Sequence, residues 1–113
     1  MTSFELFQVL YLVLDDINSD IHNDNLIEYL TDSNPYMRNG KNSVDVTVYH
    51  DFDKKFNLSK DNDDYYYNFV CDYLKNIEYY KNLYNIFKSN LSKDEYIDNV
   101  KYILENKEEY LKK

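Results

Sequence analysis

A chain of 113 residues has room for one hydrophobic core and no room for two full domains. Leu, Ile, Val and Phe supply 32 of those residues, enough for a chain of net charge −8 to fold instead of staying disordered. With 21 Asp and Glu against 13 Lys and Arg, the balance disfavours free nucleic acid, whose binding depends on a surplus of cations, and favours basic partners.

There is one Gly, one Pro, no Ala and no Trp against 15 Asn, 14 Tyr and 12 Lys, a bias that matches AT-rich codons. Cys71 stands alone, so no internal disulfide forms, and a reducing, cytoplasmic setting is expected. Residues 4–14 form the one greasy run. It is too short to span a bilayer and is interrupted by Glu5 and Gln8, so no membrane association is expected.

In chain order, Thr2 and Glu5 have capping-box spacing and open a first helix. Leu6, Leu10, Val13, Leu14, Ile17 and Ile21 give it a broad buried face through about residue 20, as suits a central helix. Asn23 or Asp24 caps a short second helix that must stop before Pro35. Residues 32–43 are the clearest loop. Val44, Val46 and Val48 alternate as in a strand, yet Val44, Val48, Phe52 and Phe56 are spaced four apart; with no second strand to pair with, helix is expected.

After a loop at 57–63, Tyr66, Val70, Tyr73, Ile77, Tyr80, Tyr84, Phe87 and Leu91 step by four and three. One long helix with a bend near 76–80 is predicted. Ser92 and Glu95 form a second capping box that starts a last helix at about Lys93, closed by Lys112 and Lys113 at the negative end of its dipole. These pieces add up to an all-α, single-domain bundle of four or five helices covering 1–113.

No catalytic constellation emerges. EF-hand alignments from Asp16 or Asp61 place Ile21 or Tyr66 where the loop needs Gly. His22 and His50 lie in different segments without zinc-ligand spacing, and Gly40 alone builds no phosphate loop. A non-enzyme without metal or cofactor is therefore expected.

The most informative stretch is DNDDYYYNF at 61–69 together with EYYKNLY at 78–84. Three consecutive Tyr span about 200° of a helix, so they cannot all face one core. Tyr combines a large ring with a water-tolerant hydroxyl, and flanking carboxylates select a basic partner. Asp61, Asp63, Asp64, Tyr65, Tyr67, Glu78 and Tyr79 are the candidate partner-binding residues. Against this stands the simpler expectation that Tyr replaces Leu or Phe in the core, with its hydroxyl reaching the bundle edge.

In size, acidity and tyrosine content the chain resembles the helical colicin-type immunity proteins, with no shared motif. The leading expectation is an immunity or inhibitor protein that neutralises a basic toxin or nuclease. The alternatives are a nucleic-acid mimic that inhibits a restriction or CRISPR nuclease, or a structural protein in which the 66–91 seam forms a homo-dimer.

Overall fold

Thr2 Oγ1 accepts from the Glu5 amide at 3.1 Å while the Glu5 carboxylate accepts from the Thr2 amide at 2.8 Å. That box opens α1, Ser3–Ile21, in the computed structural model, which describes residues 1–112. Six further helices follow: α2 (Asp24–Ser33), α3 (Val46–Asp53), α4 (Asp63–Asn76), α5 (Leu83–Asn90), α6 (Lys93–Glu105) and α7 (Lys107–Tyr110). No strand occurs among the described residues, and the valine alternation at 44–48 runs from Val44 and the N-cap Asp45 into the first turn of α3.

α1 is the central helix and packs on α2, α3, α5 and α6. Ten of its residues are buried, among them Gln8, whose amide donates to Phe4 O at 3.3 Å and whose oxygen accepts the Lys112 amide at 2.7 Å. Ile21, at the end of the predicted stripe, is 40% exposed. Aromatic rings join the layers. Phe7 meets Phe52 at 5.1 Å, and Phe52 in turn packs edge-on against Phe69 and Tyr73 of α4, both at 4.9 Å. On the other side Tyr67, Phe87 and Tyr96 tie α4, α5 and α6 together.

The predicted long helix over 66–91 is two helices. Its seam stays turned inward, with Tyr66, Val70, Tyr73, Tyr80 and Phe87 buried, but the backbone leaves helical geometry at Ile77 (ψ 115°) and returns through Asn82 in the left-handed region (φ 67°). Asn76 Nδ2 bonds back to Asp72 O at 2.8 Å, satisfying a terminal carbonyl of α4. Asn90 does the same to Ile86 O in α5 and Asn106 to Tyr102 O after α6, each at 2.8 Å. In a chain with one Gly, Asn side chains close the ends of α4, α5 and α6, and the break at Asn106 divides the predicted last helix into α6 and α7. Hence there are seven helical segments where four or five were expected.

Lys112 does not serve a helix dipole. Its ammonium binds the carbonyls of Pro35, Arg38 and Gly40 and pins the 34–45 loop to the end of the fold; Lys113 lies outside the described residues.

Candidate protein-binding surface

The seven candidate residues separate into two groups at opposite ends of α4. Fourteen residues at helical rise span about 20 Å, so the two groups do not form one patch.

At the start of α4 the chain supplies its own cations. Asp61 accepts from the Tyr66 hydroxyl and lies 3.6 Å from the N-terminal ammonium, and these two contacts hold its carboxyl below the ordinary range. Asp63 pairs with Lys101 at 3.6 Å and Asp64 with Lys93. Tyr65 is half-buried; its hydroxyl accepts the Asn57 amide at 2.7 Å and Lys60 sits 5.6 Å above its ring. Tyr67, expected on the surface, is 6% exposed. Its ring is wedged against Phe87 and Tyr96, and its hydroxyl accepts from Lys88 at 2.8 Å. The seam position Tyr66 and its neighbour Tyr67 both turn inward because α4 is covered on two sides, by the 56–61 segment and by α5 with α6.

At the other end of α4, Glu78 and Tyr79 are exposed, Tyr79 to 74%. They stand on the rim of a cleft of about 440 Å³ between α3 and the irregular 77–82 segment. Tyr73 and Tyr80 form part of its wall. Carboxylates come from Asp32 at the end of α2, Asp45 at the N-cap of α3, Asp51 within α3, and Glu78. Lys54 and Lys55 also line the cleft, and Lys54 is engaged with Asp51 at 3.2 Å. Negative charge therefore prevails.

The walls are tightly connected. Tyr80 donates to Asp32 Oδ2 at 2.7 Å, Tyr29 and Tyr73 share a hydroxyl hydrogen bond of 3.0 Å, and Tyr29 meets Tyr80 edge-on at 5.2 Å. Burial, reinforced by the Asp32 carboxylate, pushes the Tyr80 phenol well above its ordinary pKa, so it stays a donor. The Asp45 amide donates to Asp32 O at 2.8 Å and fixes α3 against α2. Tyr79 stacks edge-on over Tyr80 at 5.0 Å, leaving its outer face to solvent.

Comparison with protein families, curated proteins and solved structures returns no match. Among the described residues no three His, Cys, Asp or Glu side chains cluster as a metal site would require. Burial raises the half-buried Cys71 thiol, opposite to what a reactive thiolate needs. The cleft offers carboxylates and aromatic faces, groups that together bind a cationic side chain. Of the acids and tyrosines at this cleft, the sequence singles out Glu78 and Tyr79 as candidates and does not point to Asp32, Asp45 or Asp51. Those acids lie 28 or more residues before Tyr79 along the chain, and only the fold gathers them.

Among the described residues no helix is long and apolar enough to cross a membrane.

Proposed function

We propose that this chain is a non-enzymatic protein-binding module that captures a basic protein, acting as an inhibitor or immunity protein against a toxin such as a nuclease. The observation that carries this reading is the exposed Glu78–Tyr79 rim over the carboxylate-lined cleft. An inserted Lys or Arg would meet a ring face and converging acids, the arrangement typical of binding hot spots. The net charge of −8 would speed encounter with a basic partner. A single cysteine suits a reducing compartment such as the cytoplasm.

Affinity capture from a lysate of the source cells tests this. The native chain should retain one basic protein at low salt and release it as salt rises, because screening weakens exposed charge pairs. A Glu78→Lys, Tyr79→Ser double variant should retain little of it. Equal recovery by both chains, or no protein recovered by either, overturns the reading. If duplex DNA displaces the captured protein from both chains alike, the mimic of a phosphate backbone is favoured instead.

A further inference from the structure

The negative charge of this chain is unevenly placed. Residues 1–37 hold seven of the 21 acidic residues and none of the 13 Lys and Arg, whereas residues 38–113 are nearly balanced, with 14 acids and 13 cations. Of the seven, Glu5 is paired with Lys107 at 2.8 Å. Asp15, Asp16, Asp20, Asp24 and Glu28 are exposed and pair with no cation among the described residues.

Two of these carboxylates, Asp15 and Asp16, line apolar grooves, and the other three stand on the same two helices, α1 and α2. Between α1 and α2 runs a groove of about 470 Å³ walled by Tyr11, Ile27, Leu30, Met37 and Val44. Ile27 is 41% and Met37 72% exposed. Its polar lining consists of Asp15, Asn18, Thr31 and Asn34, with no Lys or Arg. The Asn18 side-chain oxygen is shielded from solvent and has no hydrogen-bond partner. Arg38 touches the lining with its Nε committed to Val44 O at 2.8 Å, and the Lys112 ammonium is committed to the carbonyls of Pro35, Arg38 and Gly40. On the far side of the α1 ridge a second groove of about 400 Å³ lies between α1 and α6, lined by Leu12, Asp15, Asp16, Tyr102 and Tyr110 among others, again without a cation. Asp15 borders both.

We infer that this α1–α2 face is a docking site for a cationic amphipathic helix of a partner protein, its apolar stripe laid along the Ile27–Met37 groove and its Lys and Arg reaching Asp15 in the groove and the exposed Asp16 and Glu28 on the two helices that form its walls. Helix-in-groove recognition needs an apolar channel bordered by complementary charge, and both are present. A second copy of this chain meeting it with the same face is a poor occupant, because it would bring like charge to like charge. This surface is separate from the cleft at Tyr79 and does not depend on it.

The test uses a Leu/Lys amphipathic peptide of roughly five helical turns, followed by fluorescence anisotropy and by amide NMR of the full chain. Shifts should concentrate at Asp15, Asn18, Ile27 and Met37. Asp15→Lys with Asp16→Lys, and separately Met37→Asp, should each weaken binding by about ten-fold, and Tyr79→Ser should leave it within about two-fold. Circular dichroism of each variant shows that it is folded, and Met37 is exposed enough that its replacement leaves the core intact. Shifts scattered over the surface, binding insensitive to both variants, loss on Tyr79→Ser, or a chain that self-associates through Met37 would each overturn the inference.

Discussion

The Tyr80 hydroxyl donates to the Asp32 carboxylate at 2.7 Å across 48 residues of sequence, and this one bond ties the irregular 77–82 segment to the end of α2. It shapes the cleft, because Tyr79 and Glu78 sit on the segment it anchors. Tyr80→Phe keeps the ring against Tyr29 and removes only the donor. It should cost about 1.5–3 kcal/mol in denaturant unfolding, as for a hydrogen bond to a charged acceptor, and should speed amide exchange at 77–82. Unchanged exchange there would show that ring packing alone holds the segment.

Tyr67 and Tyr79 separate core from surface. Both are tyrosines flanked by acids within a few residues, yet one is 6% and the other 74% exposed. Tyr67→Ser should cost about 3 kcal/mol or more, since it empties the space among Phe87, Tyr96 and α4. Tyr79→Ser should change stability by about 0.5 kcal/mol at most. Thermal melts of the two variants decide it, and equal melting temperatures would contradict the packing.

Tyr96 shows where a tyrosine hydroxyl is a burden. It is fully buried, and its oxygen has no hydrogen-bond partner. Tyr96→Phe retains the ring contacts with Tyr67 and Phe87 and removes the orphaned group, so it should raise stability by about 1 kcal/mol. A loss of stability would mean that the hydroxyl is satisfied in solution.

Much of the fold was legible because its signals are local. Thr2 with Glu5 and Ser92 with Glu95 close the capping boxes their spacing announces, and the Val48–Phe52 step marks α3 as a helix. The break at 77–82 was not, because the apolar spacing continues through it and no Gly or Pro marks it. Asn76 and Asn82 bracket it, the one folding onto a carbonyl and the other tolerating the left-handed region. The site was half legible for a similar reason. Tyr79 and Glu78 adjoin that break, whereas Tyr67 lies within a regular helix whose two covered sides no periodicity could reveal. The cation-free run 1–37 was in plain view, but a net charge for the whole chain averages it away.

His22 ends α1 in the left-handed region, φ 50° and ψ 58°, where a β-carbon is strained and Gly is the usual residue. The side chain is exposed, so little is lost by removing it. His22→Gly should stabilise the fold by about 1 kcal/mol, seen as a higher denaturant midpoint with an unchanged slope. A lower midpoint would mean that the imidazole makes a contact worth more than the strain.

The tyrosines also set an alkaline limit. Burial raises the phenol pKa of Tyr29, Tyr73, Tyr80 and Tyr96 above its ordinary value, and pushes Tyr36 up to about 12. A folded-state pKa above the unfolded one means that the native chain keeps protons the unfolded chain releases. The associated stability is therefore complete below about pH 10, the unfolded phenol value, and is lost as pH climbs beyond it. Above that point the phenolate absorbance of these rings should appear together with loss of the helical circular dichroism, in one cooperative step. Full phenolate absorbance with the helical signal intact would show that the buried rings are reached by solvent without unfolding.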